Sequence, residues 1–238
     1  MRKLLVIGAS GKLIRYVVLS LIGDYELFLQ CNRRCVELAE FLSSAGFDAG
    51  GANIHLIRHD FMEEGVESLS RKLSALTSVL DASILIEPVF NQVPLRELRE
   101  ELIRDVVYTD LVVPLTLIKV LTYFMISDPS VIIVLTDLTP LKGSRFYEGL
   151  SPSLPVVASS AALHTIVKEA PHYLPGNIRV FGVALDWVSV PSKKLPPSAT
   201  SRAMSVGEVA NFIKELLSNP SRFPSGTLIE LSRLGRNP

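Results

Sequence analysis

Short apolar stretches of strand length alternate with helical patterns along the whole chain. The apolar stretches are rich in β-branched residues, which is typical of strands buried on both faces of a parallel sheet. The predicted strands are Lys3–Ile7, Glu26–Cys31, Asn53–Ile57, Val79–Ile86, Val131–Leu135, Ile178–Leu185 and Thr227–Leu231. The predicted helices lie near 12–22, 35–45, 65–76, 95–126, 154–172 and 206–218. This alternation predicts an α/β fold, a doubly wound parallel sheet of about seven strands with helices on both faces.

Two stretches between these elements have the composition of loops. The stretch 137–153 contains two prolines and two glycines, and the stretch 189–203 contains three prolines. Each begins at the carboxyl end of a predicted strand, where ligands bind in open α/β sheets. A chain of 238 residues suits one large domain. We therefore predict a single domain over 1–238, with these loops framing any site.

The charge balance and the apolar runs exclude some classes of partner. Lys plus Arg and Asp plus Glu both number 24, and no basic stripe suggests nucleic-acid binding. The most apolar run, Leu111–Ile126, contains Pro114 and Lys119 and is short for a membrane span. No signal-peptide pattern opens the chain. We expect a cytoplasmic protein with neither a nucleic-acid nor a membrane partner.

The cysteines and histidines show no metal-site spacing. Cys31 and Cys35 are the two cysteines, and they can cross-link or react, because Cys35 lies near a helix start where thiolates are stabilised. Two ordinary, partly buried cysteines are the preferred interpretation, which fits a cytoplasmic protein. The histidines show neither triad nor ligand spacing; they are His55, His59, His164 and His172. No metal site is predicted.

A glycine-containing turn follows the first strand. Gly8, Ser10 and Gly11 lie between this strand and a helix, where backbone N–H groups can hold a pyrophosphate. Lys12 can add positive charge, whereas Ile14 occupies a position where a smaller residue would let phosphate approach. A tight strand–helix turn without any ligand is the alternative interpretation.

The residues after the second strand indicate which nucleotide the turn would serve. Arg33 and Arg34 lie where a dinucleotide binder recognises the adenosine ribose, and neither Asp nor Glu is present there to hold a 2′-hydroxyl. Guanidinium groups suit a 2′-phosphate, so NADP is favoured over NAD as the cofactor. The alternative is that both arginines are solvated charges at the start of the next helix.

The chain also resembles a known family, and the sequence Pro155 to Leu163 carries that resemblance. Its last residues, Ala161-Ala162-Leu163, are similar to the catalytic helix of short-chain dehydrogenases/reductases, and the likeness extends to Asn177–Val180 and Gly226–Ile229. The resemblance implies a Rossmann-type fold. It also makes Asp60 the equivalent of the aspartate that hydrogen-bonds the adenine, with an N-cap as the alternative role.

The catalytic residues of the resembled family are not retained. That family uses Asn, Ser, Tyr and Lys, and the Tyr and Lys positions correspond here to Val156 and Ser160. The Asn position corresponds to Asp110, and the Ser position to Asp137, with Thr136 just before it. An aliphatic side chain neither donates nor accepts a proton, so the family's acid–base step cannot run from residue 156.

Carboxylates occupy several positions that would face the site. They are Glu87, Asp110, Asp137 and Asp186. If all four face one crevice, they repel each other and the cofactor phosphates, although one of them can become an acid of raised pKa. Tyr147, in the loop before the catalytic helix with Lys142 nearby, is another candidate proton donor. A packed or exposed loop aromatic is the preferred interpretation of Tyr147.

The helix at 106–126 is apolar nearly all round, which indicates burial on more than one side. In the resembled family this helix and the one at 154–172 form the main dimer interface, so we expect a homo-oligomer.

Two functions remain open. One is a non-catalytic relative that binds NADP(H) or another nucleotide as a sensor, scaffold or partner subunit. The other is an NADP-dependent oxidoreductase with a non-standard proton donor, Asp137 or Tyr147.

Overall fold

The computed structural model describes residues 1–86, 92–142, 152–191, 195, 197–200 and 203–233. Its strands are β1 (Arg2–Val6), β2 (Tyr25–Cys31), β3 (Ile54–Arg58), β4 (Ala82–Ile86), β5 (Ser130–Asp137), β6 (Ile178–Leu185), β7 (Val188–Ser189), β8 (Met204–Ser205) and β9 (Leu228–Leu231). Its helices are α1 (Ile14–Leu21), α2 (Cys35–Ser44), α3 (Phe61–Ser74), α4 (Glu100–Val107), α5 (Val113–Leu121), α6 (Thr139–Lys142), α7 (Leu154–Glu169), α8 (Pro197–Thr200) and α9 (Val206–Ser218).

The main sheet has seven parallel strands in the order β3-β2-β1-β4-β5-β6-β9. From β1 the chain winds outward through β2 and β3, and then returns to the centre at β4 to wind the other way. The predicted doubly wound sheet is therefore confirmed. The direction reverses between β1 and β4, and the carboxyl ends of these two strands open a crevice suited to a ligand.

Apolar cores cover both faces of the sheet. Along β1, Leu4 and Val6 join the core beneath α1, α2 and α9, while Leu5 joins the core beneath α3, α5 and α7. Successive side chains of a strand point to opposite faces, so a strand buried on both sides is apolar at every position. Phe28 in β2 and Phe181 in β6 are fully buried, one in each core. This packing explains the continuous apolar runs in the sequence.

The helix predicted over 95–126 is interrupted. A 3-10 turn at Leu95–Glu97 precedes α4, and a π-helical turn at Tyr108–Val112 joins α4 to α5. In that turn the backbone N–H of Val113 donates to the carbonyl of Tyr108, five residues earlier. Pro114 follows and has no N–H to close the ordinary bond to the residue four positions back. The periodicity of apolar residues did not reveal this interruption.

The two predicted loops contain short regular elements. The first includes α6, and the second includes β7 and α8, with β7 pairing in parallel with β8. The predicted helix at 154–172 ends earlier, as α7 followed by a 3-10 turn at Ala170–His172. Among the described residues no helix is both long and apolar enough to cross a membrane.

Candidate functional site

A cleft of about 870 Å³ lies at the carboxyl ends of the central strands. Its walls include Gly8 after β1, Asn32 after β2 and Ile86 at the end of β4. Asp137 at the end of β5 and Asp186 after β6 form the opposite end. The cleft therefore occupies the point where the winding direction of the sheet reverses, and its two ends are formed by different strands.

The glycine turn is a close-packed bend of the backbone. Gly8 has φ of 71°, a left-handed conformation that glycine adopts without strain. The N–H of Gly11 donates to the carbonyl of Gly8 at 2.9 Å. A Cβ atom on Gly11 would come within 3.2 Å of that same carbonyl and of the Cγ2 atom of Ile14. Both glycines are thus needed by the turn itself, and they leave the backbone bare on the cleft wall.

Gln30 holds this turn in place, and sequence reasoning missed it. Its side chain is buried, its Oε1 atom accepts from the N–H of Gly8 at 2.8 Å, and its Nε2 atom donates to the carbonyl of His59 at 2.8 Å. Its own carbonyl accepts from the N–H of Ala9 at 2.9 Å. A buried polar side chain normally has such partners. The only signal in the sequence was one amide in the part of the strand that is otherwise apolar, after Glu26.

Ile14 is the first residue of α1, two residues after the predicted start of this helix near residue 12. It lines the cleft, yet only 1% of its surface is exposed, because its side chain packs into the core beneath α1 and against Gly11. The side chain is therefore part of the floor of the glycine turn and does not project as a free branch into the cleft.

One end of the cleft is cationic. Lys12, Arg33 and Arg34 line it and are exposed to solvent. Asp60 lines the same end and caps α3, since its Oδ1 atom accepts from the N–H of Met62 at 3.0 Å. Asp60 therefore acts as the N-cap of α3, which was the alternative interpretation, and it also lies on the cleft wall.

Cys31 and Cys35 form a disulfide, so the interpretation of two ordinary cysteines was wrong. Cys31 ends β2 and Cys35 begins α2, and the turn between them brings their Cα atoms to 5.2 Å, well within reach of a bridge. Four positions of separation gave no sign of this contact, because the approach depends on how the chain turns between strand and helix. The argument from unpaired cysteines to a cytoplasmic location is thereby lost.

The other end of the cleft is aliphatic and acidic. Val156 on α7 lines it and is 2% exposed, beside Thr136 and Asp137 from β5. Burial raises the pKa of Asp137, and the nearby Asp186 raises it further, while hydrogen bonds from Thr139 oppose the shift. The N–H of Thr139 donates to Oδ1 of Asp137 at 2.6 Å. Asp137 is thus a carboxyl group that holds its proton more firmly than usual.

Several solved structures have a fold similar to that of this chain. A short-chain dehydrogenase/reductase from Serratia marcescens superposes with a TM-score of 0.81, covering 97% of this chain and 96% of its own, at 18% identity. The Pseudomonas aeruginosa RhlG/NADP active-site complex gives 0.81 over 97% and 94%, at 17% identity. A Burkholderia cenocepacia short-chain dehydrogenase in complex with NADP gives 0.80 over 97% and 96%, at 13% identity. The sequence itself matches no protein-family model and no curated protein.

The chain has the fold of the short-chain dehydrogenases/reductases. At identities below one fifth the likeness concerns the fold, and it confirms the Rossmann-type architecture that the resemblance implied. Within this fold some of the predicted site residues line the cleft, and others do not.

The two positions that replace the tyrosine and lysine have different surroundings. Val156 faces the cleft, whereas Ser160, one turn later, is fully buried and is not among the residues that line it. The Oγ atom of Ser160 donates to the carbonyl of Val156 at 3.0 Å. Ser160 thus bonds within its own helix and contributes no charge to the cleft.

Of the four carboxylates, the three that the structure describes do not gather as a cluster. Asp137 and Asp186 line the cleft, but Asp110 is fully buried in the π-helical turn and lies off the cleft wall, where its Oδ1 atom accepts from Oγ1 of Thr109 at 3.1 Å. Glu87 is outside the described residues. In the described part of the chain no three His, Cys, Asp or Glu side chains are grouped to hold a metal ion. π-Helical turns often occur at functional sites, and this one borders the cleft through Thr109.

Two other residues named in the sequence analysis, Lys142 and His164, do not line the cleft. Tyr147 is outside the described residues. The Nζ atom of Lys142 is 2.6 Å from a carboxylate oxygen of Glu230, and Lys142 does not line the cleft. His164 on α7 is buried, burial lowers its pKa, and its ring bonds to the backbone of Asp137. Trp187, which sequence analysis did not single out, lies on the cleft wall.

Proposed function

We propose that this chain is a divergent member of the short-chain dehydrogenase/reductase family that binds NADP(H) without the family's tyrosine–lysine catalysis. One observation carries the proposal: the cleft has a cationic end built around a glycine turn and an opposite end whose wall carries Val156. Two of the three similar structures contain NADP. The proposal treats 1–238 as one domain with a sensor, scaffold or partner-subunit role.

The cationic end fits a dinucleotide. The bare backbone at Gly8, Ser10 and Gly11 would receive the pyrophosphate, with Lys12 adding charge, since a side chain on either glycine would collide or strain the turn. Arg33 and Arg34 would hold a 2′-phosphate, because guanidinium groups bind phosphate through paired hydrogen bonds. Asp60 would meet the adenine. A bound nicotinamide supplies hydride chemistry, and the residues of the chain supply its orientation.

The aliphatic end argues against ordinary carbonyl reduction. A proton must reach the substrate oxygen, and positioned acid catalysis is typically worth about 10²- to 10⁴-fold in rate. Val156 has no proton to give, and the hydroxyl group of Ser160 donates to the backbone of its own helix. We therefore place the function of this cleft in cofactor binding.

A second candidate is an NADP-dependent oxidoreductase that uses Asp137 as its proton donor. The observation in its favour is the raised pKa of this carboxyl group on the cleft wall. Thr136 beside it would help to orient a substrate oxygen, and Tyr147 is a further candidate donor from the sequence.

Titration of the full chain with NADPH tests the proposal. The chain has one tryptophan, Trp187, on the cleft wall, so its fluorescence should fall saturably as NADPH binds. The expected result is saturable binding without steady NADPH oxidation over a panel of aldehydes and ketones. Saturable binding with steady oxidation, lost in Asp137→Asn, would establish the second candidate instead. No saturable change with NADPH or NADH would reject both.

We also propose that the chain forms homo-oligomers through the predicted faces at 106–126 and 154–172. Apolar side chains on or beside these helices are exposed in the described structure; they are Ile103, Val112, Leu115, Tyr123, Ile126, Leu154 and Tyr173. Exposed apolar patches of this kind mark interaction sites. Analytical ultracentrifugation of wild type and Val112→Glu/Leu115→Glu should show dissociation of the variant. A monomeric wild type would contradict the proposal. A cytoplasmic location stays a prediction.

A further inference from the structure

The disulfide closes the loop that carries the two arginines of the cationic end. Asn32, Arg33 and Arg34 are the three residues between the bonded cysteines, and all three line the cleft. A covalent bridge therefore joins the two ends of this segment, so the segment cannot open without breaking the bridge.

The base of this loop is also held by the sheet. Cys31 is fully buried, and its carbonyl accepts from the N–H of His59 at 2.9 Å. At the other end, the carbonyl of Arg34 accepts from the N–H of Leu38 in the first turn of α2. The disulfide thus links a strand end that the sheet holds to the start of a helix, and this restricts the backbone of the loop.

The arginine side chains are held out to solvent. Arg33 and Arg34 are exposed, and within the described residues neither guanidinium has an ion-pair or hydrogen-bond partner. Their positive charge is therefore not used inside the protein. A loop whose backbone is fixed loses less conformational entropy when its side chains bind a ligand, and this pre-organisation raises affinity.

We infer that the Cys31–Cys35 disulfide determines selectivity for the 2′-phosphate by holding Arg33 and Arg34 in the geometry that binds it. This inference rests on the proposed binding of NADP(H). Opening the bridge should weaken binding of NADPH and leave binding of NADH unchanged, because NADH has no group for these arginines to hold.

A dithiol opens the bridge by thiol–disulfide exchange. A thiolate of the dithiol attacks Sγ of Cys35, which is partly exposed, and the bond to Cys31 breaks, so Cys31 leaves as a thiolate and takes a proton. The second thiol of the dithiol then attacks the mixed disulfide and releases Cys35. The chain gains two electrons and two protons, and the dithiol becomes a cyclic disulfide.

Two preparations of the full chain test the inference, one oxidised and one reduced with dithiothreitol. A thiol reagent should find no thiols before reduction and two per chain afterwards. Fluorescence of Trp187 then reports NADPH and NADH binding to each preparation. Reduction is expected to weaken NADPH binding by about threefold to tenfold and to leave NADH binding within about twofold.

The alternative outcomes separate this inference from the function on which it rests. Equal NADPH affinity in both preparations overturns the inference and leaves the proposed function in place. A parallel loss for NADPH and NADH also overturns it, because the bridge would then support the whole site. If neither nucleotide binds the oxidised protein, the proposed function itself fails.

Cys35→Ser supplies the matched control. It should bind NADPH like the reduced wild type, with or without dithiothreitol. A response of this variant to the reductant would assign the effect to something other than the bridge and would overturn the inference. An unfolding curve for each preparation identifies any loss of affinity that comes from unfolding.

Discussion

The two ends of the cleft are built by different means. At the cationic end, the backbone that carries Lys12, Arg33 and Arg34 is tied to the sheet, since Gln30 holds Gly8 and a disulfide closes the next loop. The opposite end consists of side chains on helix and strand ends, where Val156 and Asp137 lie at positions that the sequence resemblance equated with the Tyr and Ser of short-chain dehydrogenases/reductases. Backbone architecture cannot change without disturbing the fold, whereas a side chain on a wall can. Under the proposed function, cofactor binding can therefore persist in this cleft when the catalytic side chains are replaced.

The largest expected effect comes from restoring the missing chemistry. Asp137→Ser/Val156→Tyr/Ser160→Lys introduces three of the four side chains that the resembled family uses, and its control, Asp137→Ser/Val156→Phe/Ser160→Lys, differs by one hydroxyl group. The tyrosine variant should oxidise NADPH with an activated ketone about 10²- to 10⁴-fold faster than the control. Steady-state absorbance measures the rates. Equal rates in two folded variants would show that acid–base groups do not limit this cleft.

Removing the cationic side chains should abolish selectivity between the two cofactors. Charge-assisted hydrogen bonds contribute about 1.5–3 kcal/mol each, so Arg33→Gln/Arg34→Gln, which removes one such bond from each arginine, should weaken NADPH binding by about a hundredfold or more. NADH binding should not change. Arg96→Gln/Arg99→Gln removes two exposed arginines away from the cleft and is the matched control. Calorimetric titration of wild type and both variants with each cofactor gives the six affinities. An equal loss of NADPH affinity in Arg96→Gln/Arg99→Gln would refute assignment of the effect to the loop.

Two glycines in the left-handed region allow the turn to be tested against a remote site. Gly8→Ala and Gly23→Ala both place a Cβ where φ is positive, 71° and 94°, and each should lower the free energy of unfolding by about 1–2 kcal/mol. Gly23 has no atom within 4 Å of such a Cβ and does not line the cleft. Only Gly8→Ala should also weaken NADPH binding. Urea unfolding and titration of both variants make the comparison.

The smallest effect concerns the acidic end. Because burial raises the pKa of Asp137, the folded state holds this proton more tightly than the unfolded state. The stabilisation by protonation is complete below the ordinary value of 3.8 and is lost as pH rises through the raised pKa. Asp137→Asn should therefore be more stable than wild type at neutral pH, and this advantage should shrink in acid.

Urea unfolding across the pH range measures that difference. Asp105→Asn, which removes an exposed carboxylate on α4, is the control for the change in net charge. A stability gain for Asp137→Asn that is independent of pH would show that packing, and not ionisation, sets its effect.

The parts of this molecule that follow from local pattern were predictable, and those that depend on three-dimensional approach were not. Strands such as β5 are buried on both faces, so their apolar runs stand out, and the position of Val156 follows from the helix motif around it. The role of Gln30 depends on the alignment of three strands, and the cysteine bridge depends on the turn between β2 and α2. The π-helical turn was missed because its residues keep an ordinary helical composition.

Gln30 couples the glycine turn to the residues that follow β3. Its amide group hydrogen-bonds the backbone of Gly8 and that of His59, each at 2.8 Å. A shift of either backbone segment would therefore disturb the other. Asp60 directly follows His59, and a nucleotide that pushed on it would thus pull on the glycine turn as well. The adenine and the pyrophosphate of a bound dinucleotide would sense each other through the protein and not only through their own covalent bonds.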